Sequence, residues 1–120
     1  NFLDGDLNNH IRDAYCVIVD HPGTTMLLNL AYNIPTILFW DSEDWVFCEE
    51  AKPYFKVLYE CNILHSNPQD AAEFINNNWK DINKWWNTEN VQRSRQLFIN
   101  QFAKRNDNWI KDWSDMIVKI

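Results

Sequence analysis

Apolar positions along the chain fall into short continuous runs separated by segments of helical spacing. Tyr15-Cys16-Val17-Ile18-Val19-Asp20 is a β-branched run, the pattern of a strand buried on both faces. After the turn His21-Pro22-Gly23-Thr24-Thr25, the residues Met26, Leu27, Leu30 and Ala31 recur at helical spacing, and that helix closes at Asn33. Pro35 breaks it, and Thr36–Trp40 reads as a second buried strand. The polar loop Asp41-Ser42-Glu43-Asp44 follows. The next helix spans Glu49 to Glu60, or starts near Lys52 with Pro53 in its first turn. Ile63-Leu64-His65 is a short third strand. Asn67 then caps a helix that has Pro68 at its first position.

Beyond this point the pattern is helical only. A long helix begins at Thr88 and runs through Phe102, and a last one runs from about Asp107 to Val118. A polar helix carrying His10 precedes the first strand. Three short strands alternating with helices predict an α/β fold, a partial Rossmann-like domain with about three parallel strands and a helical carboxyl-terminal tail. The expected organisation is one domain over 1–120. Residues 1–78 form the nucleotide-binding α/β part and 79–120 a Trp-rich helical tail. Three strands make a thin sheet, and the opening Asn1-Phe2-Leu3 reads like the middle of a longer chain, so the expectation is a domain excised from a larger protein.

Composition narrows the function classes. The 120 residues are 46% hydrophobic and 23% charged, which excludes wholesale disorder. Eleven basic against seventeen acidic side chains give a net charge of −6. Such a balance opposes nucleic-acid binding, which draws its affinity from Lys and Arg on phosphates. The apolar runs are too short to span a bilayer. Cys16, Cys48 and Cys61 show no metal-ligand spacing and read as reduced core thiols, which points to a cytoplasmic setting. Trp79, Trp85, Trp86, Trp109 and Trp113 crowd the last third. Trp109 and Trp113, four apart, share a helix face and read as packing.

Candidate chemistry gathers at strand carboxyl ends, where open α/β sheets bind ligands. Gly23, Thr24 and Thr25 follow the first strand at a helix amino terminus. There, unpaired amides and two hydroxyls suit a phosphate, and Thr24 can equally serve as a plain N-cap. His21 adds a donor or a proton. Glu49 and Glu50 stand at the next strand-to-helix junction. They suit a ribose diol or, as readily, complement the helix dipole. His65 ends the third strand on the same rim as His21 and reads as structural. Asp41, Glu43 and Asp44 read as a solvated loop, and no metal ligand set is assigned.

Residues Val17–Trp40 (VIVDHPGTTMLLNLAYNIPTILFW) and Glu49–Ile75 (EEAKPYFKVLYECNILHSNPQDAAEFI) together resemble the carboxyl-terminal half of bacterial GT-B-type transferases of surface-carbohydrate synthesis. The likeness is to a family of cell-surface polysaccharide transferases that carry a T-T-x-L-x-x-L-A-x-N-x-P-T-I stretch. The resemblance implies a domain that binds the sugar-nucleotide donor. Gly23, Thr24 and Thr25 would meet the donor phosphates, Glu49 or Glu50 the ribose, and His21 would occupy a catalytic turn position. It implies no required metal or cofactor, a nucleotide-activated sugar as substrate, and an amino-terminal acceptor domain as partner. That arrangement makes the piece inactive alone and leaves room for self-association. It also implies a cytoplasmic location, with peripheral association at the inner face of the membrane through the full-length protein. In that family the base-contacting strands lie upstream of Ala14. The alternatives are a fragment of a CDP-polyol phosphotransferase and a non-catalytic α/β interaction module.

Overall fold

The computed structural model describes residues 5–103 and 108–118, apart from the side chains of Asn8 and Trp109. The paired-tryptophan expectation at Trp109 and Trp113 therefore lies partly outside the described residues. In chain order the elements are α1 (Leu7–Arg12), β1 (Val17–Val19), α2 (Thr24–Ala31), β2 (Thr36–Phe39), α3 (Lys52–Glu60), β3 (Leu64–His65) and α4 (Pro68–Asn78). A 3-10 turn (Trp79–Asp81), α5 (Ile82–Trp86), α6 (Glu89–Phe102) and α7 (Trp109–Val118) complete it. The strands form one parallel sheet in the order β1-β2-β3, with Val17 opposite Thr36 and Leu38 opposite Leu64. The expected α/β class with three parallel strands and a helical end is what the chain adopts.

Side chains alternate across the strands and divide the core in two. Val17, Val19, Leu38 and Leu64 face a cluster that includes Met26 and Leu30 of α2, Phe55 and Leu58 of α3, and Val91, Phe98 and Ile99 of α6. The helical end thus packs into the same core as the sheet. Ile37 and Phe39 face the other way, onto Ala71, Phe74 and Ile75 of α4 and Ile82 of α5. Helix α4 packs on β2 and β3, and β1 is the edge strand away from it. Ile18 is accordingly 52% exposed, so the expectation that the first strand is buried on both faces is corrected. An apolar run records what a strand tolerates, and coverage depends on which helix reaches it.

The α2-to-β2 and α3-to-β3 connections are the same device. Asn33 and Asn62 adopt left-handed φ values of 58° and 66°. After α2 the amides of Asn33 and Ile34 donate to the carbonyls of Leu30 and Asn29. After α3 the amides of Asn62 and Ile63 donate to Tyr59 and Leu58. Each is a Schellman ending with asparagine in the left-handed position and a buried isoleucine behind it. The Asn33-Ile34-Pro35-Thr36 and Asn62-Ile63-Leu64-His65 elements are thus helix stops that set the next strand in register.

Helix α2 buries Met26, Asn29 and Leu30, while Ala31 is exposed. The expected stripe is therefore off at its last position, and Asn29, two positions earlier, is buried instead. Its amide is 0% exposed and neither polar atom has a hydrogen-bond partner, a cost on the order of 1–3 kcal/mol. Helix α3 starts at Lys52 with Pro53 in its first turn, the second of the two boundaries the sequence allows. Asn67 caps α4 by accepting from the Asp70 amide at 2.8 Å, as the sequence predicts. Thr88 stands at the N-cap of α6, but its hydroxyl donates back to the Trp85 carbonyl at 2.7 Å.

The thiols divide. Cys61 is buried and donates to the Leu58 carbonyl, and burial raises its pKa. Burial pushes the Cys16 thiol up to about 11. Cys48 is exposed, correcting its expected place in the core, because residues before Lys52 form irregular turns rather than helix. Of the tryptophans, Trp86 is buried and Trp85 partly so, whereas Trp79 and Trp113 are exposed. No helix among the described residues is long and apolar enough to cross a membrane.

His65 is 8% exposed, with Nε2 2.9 Å from the Asn62 carbonyl and its ring against Phe74. The Nε2–H donates in that pair. Burial lowers its pKa below the usual 6.5, outweighing the Asn62 bond and the Asp70 charge. The unfolded chain therefore takes up a proton at a pH where the folded chain does not. Stability contributed by neutral His65 is present above pH ~6.5 and is lost as pH falls through the lower folded value. Denaturant midpoints measured between pH 7.5 and 5.5 should fall for the native chain and flatten for His65→Gln. An equal slope in both proteins would assign the loss to other groups.

Candidate functional site

The turn Asp20–Gly23 carries the chain from the carboxyl end of β1 into α2. Gly23 is the N-cap residue, with extended backbone (φ 179°, ψ −167°) and no side-chain hydrogen bond capping the helix. Thr24, expected as a possible cap, is instead the first helical residue and is exposed, and Thr25 behind it is half-buried. The Leu27 amide already reaches the Gly23 carbonyl at 3.2 Å. The amides of Thr24, Thr25 and Met26 precede that first intrahelical bond, and a side-chain cap would have satisfied one of the last two.

The other end of α2 is closed three times over. Besides the Schellman bonds, Arg95 Nη1 donates to the Leu30 carbonyl at 2.8 Å, which sets a cation at the negative end of the helix dipole. Helix α4 differs, with its Asn67 cap, whereas α3 shares the open start and Schellman ending of α2; the Arg95 contact is what α2 adds.

His21 completes the turn. Its Nδ1 lies 2.8 Å from Asp20 Oδ1, and the pair is exposed. The imidazole holds the Asp20 carboxyl below its usual range. With Nδ1–H donating to that carboxylate, Nε2 is the nitrogen left to accept or deliver a proton. A Cβ built on Gly23 would lie 3.4 Å from His21 Cδ2 and 3.5 Å from Nε2, so the ring edge sits against the helix entry. His21, Gly23, Thr24 and Thr25 are therefore brought together. Asp20, which orients the imidazole, was missed from the sequence, although its place beside His21 was the available signal.

Glu49 and Glu50 fall in a turn before α3, exposed, with Glu49 paired to Lys52. Cys48 and Ala51, which bracket them, share a shallow cavity with Met26 and Leu27 of α2. The fold thus brings this turn beside the first turn of α2, while the two carboxylates stand toward solvent. Asp41 accepts from the Glu43 amide at 2.9 Å and forms an exposed Asx turn. His65 is sequestered under Phe74, as its structural reading implies.

Past the carboxyl end of β2 lies a cavity of about 380 Å³ that the sequence reading passed over. Trp40, Phe47, Phe55 and Tyr59 wall it, with Trp45, Lys52 and Lys56 at its edge. The signal for it was present in the aromatic residues flanking the Asp41–Asp44 loop and in two lysines one helical turn apart.

No curated protein and no solved structure gives a significant match to the chain. A family model described as LIC12162 family transferase matches residues 1–117, and the chain therefore belongs to that family of transferases.

Proposed function

We propose that the open end of α2 seats the phosphates of a nucleotide-activated sugar whose glycosyl group this transferase moves onto a cell-surface polysaccharide precursor. The observation that carries the reading is the uncapped amino terminus of α2 at the carboxyl end of β1, opposite an end closed by Schellman bonds and Arg95. Three amides and the partial positive charge of the helix stabilise an anion there, and the Thr24 and Thr25 hydroxyls add donors. When the glycosyl bond breaks, negative charge builds on the departing phosphate, and fixed donors stabilise that charge most strongly.

His21, aligned by Asp20 through Nδ1, presents Nε2 beside the same helix entry as the atom that takes up or hands over a proton. A second domain supplies the acceptor, so this chain alone binds donor without turning over. Glu50 and Glu49 supply carboxylates for the ribose only if the Val46–Ala51 turn closes toward α2. Donor synthesis assigns the reaction to the cytoplasm, at the inner face of the membrane. Transfer of a polyol phosphate from a CDP-linked donor uses the same phosphate seat.

The test is an amide NMR titration of the chain with UDP, GDP, CDP and CMP, repeated on Thr25→Ala. Saturable shifts at Gly23–Thr25 are expected, and a preference for CDP would select the polyol reading. Removing the Thr25 hydroxyl should weaken binding by about 1.5–3 kcal/mol, the range for a hydrogen bond to a charged group. Unchanged affinity in that variant would remove Thr25 from the site.

A further inference from the structure

The cavity beyond β2 is built differently from the α2 turn. Its walls are rings locked against one another. Phe47 stacks on Phe55 at 3.9 Å and 19°, and Trp40 meets Phe55 edge-on at 6.2 Å. Trp40 and Phe55 are buried, which fixes the floor. Trp45 is 41% exposed and offers a ring at the rim. Lys52 and Lys56, on one face of α3, stand exposed at the mouth, paired with Glu49 and Glu60, and surface pairs of this kind are weak enough for a phosphate to displace the carboxylates. Ser42 and the Tyr59 hydroxyl are the other polar groups of the lining.

This chemistry selects its ligand. A volume of about 380 Å³ falls in the range of small-molecule sites. A hexose presents several hydroxyls that each need a partner, and the lining has few polar groups to meet them. A nucleobase offers two flat apolar faces for ring stacking, and its attached phosphate meets the lysines. The segment Val46–Phe47 lines both this cavity and the shallow one that reaches Met26 and Leu27, so a single short strip separates the cavity from the first turn of α2.

We infer that the Trp40–Phe55 cavity binds the base of a nucleotide, with Lys52 and Lys56 on the phosphate nearest the nucleoside. The inference rests on the donor reading above and deepens it by assigning the two ends of the donor to two seats. It also differs from the resemblance, which puts base contacts upstream of Ala14.

The experiment titrates the 120-residue chain with UMP, CMP, GMP, inorganic pyrophosphate and glucose 1-phosphate, reading indole emission and amide shifts. Nucleoside monophosphates should move Trp45, Phe47 and Tyr59 saturably, and pyrophosphate should move Gly23–Thr25. Trp45→Leu, at a half-exposed position that leaves the core intact, should weaken monophosphate binding about fivefold or more. Lys52→Ala with Lys56→Ala should weaken it about tenfold. Monophosphate affinity that ignores all three substitutions overturns the assignment. Pyrophosphate shifts at α2 without any nucleotide response around Trp45 overturn it while leaving the phosphate seat standing. Nucleotide shifts around Trp45 without pyrophosphate shifts at α2 uphold the base pocket and remove the α2 reading. A response at Trp45 to glucose 1-phosphate but not to UMP overturns it in favour of a sugar.

Discussion

Trp86→Ala is expected to lower the unfolding free energy by about 3–5 kcal/mol, the range for deleting a large buried aromatic side chain. Trp86 is 2% exposed in the cluster that joins the sheet to α6. It also holds the α2 ending. Its Nε1–H lies 2.9 Å from Asn33 Oδ1 and 3.2 Å from the Asn33 carbonyl, and Gln92 Nε2 donates to the same Oδ1 at 3.1 Å. The left-handed residue that stops α2 is thereby tied to α5 and α6. Domains of this size are stable by about 5–15 kcal/mol, so one substitution removes a large share. Trp86→Phe separates the two contributions, because it retains most of the volume and loses only the donor. It should cost about 1–1.5 kcal/mol, since exposed Asn33 can turn to water. Urea unfolding followed by circular dichroism checks both. A Trp86→Phe loss as large as that of Trp86→Ala would assign the effect to the hydrogen bonds rather than to packing.

What the sequence made legible follows from which forces act locally. The strands at Val17–Val19 and Thr36–Phe39 were readable because β-branched runs bounded by a turn and a proline leave little alternative. The Asn67 cap was readable because its partner, the Asp70 amide, lies three residues away. Asn33 was visible as a helix end and the next helix was read to Glu60, but the geometry that Asn33 shares with Asn62 was not, since a left-handed φ depends on where the following isoleucine is buried. Features decided by distant chain were lost. Ile18 is exposed because it lies on the edge strand away from α4, Cys48 because its segment forms turns, and Asn29 is buried on a helix that packs against both α6 and the sheet.

The candidate site divides along the same line. His21, Gly23, Thr24 and Thr25 are contiguous in sequence, so their proximity was dictated by one turn. The cavity beyond β2 combines Trp40 with Tyr59 across a long loop and a helix, and no periodicity links them. Tyr59 shows the effect of that juxtaposition. Burial, and secondarily the charge of Asp41 from the loop, raises its pKa above the usual 10.0. Glu49 and Glu50 stand at the junction between β2 and α3, where the sequence puts them, but the direction of their side chains was not encoded locally, and Lys52 holds one of them.

Gly23→Asp is expected to abolish donor binding while leaving the fold intact, a loss of a hundredfold or more. The backbone at Gly23 is extended, a conformation open to any residue, so the substitution carries no φ penalty. The added Cβ would sit 3.4 Å from His21 Cδ2, a contact an exposed ring relieves by a small rotation. An N-cap aspartate accepts from the Thr25 or Met26 amide and places a full negative charge at the positive end of α2. The helix gains a few tenths of a kcal/mol over glycine. The same carboxylate occupies the seat proposed for phosphate and repels a second anion. Stability and binding are thus expected to move in opposite directions at one position, which loss of folding cannot mimic. Gly23→Ser serves as the control, because its hydroxyl caps without charge and should weaken binding by only about tenfold or less. The measurement pairs a melting curve with a UDP and CDP titration for each protein. A Gly23→Asp chain that melts at or above the native temperature and still binds nucleotide with shifts at Thr24 and Thr25 would show that the open helix end is unused. A chain that retains its melting temperature and loses those shifts identifies the missing cap as the place where the donor phosphate sits.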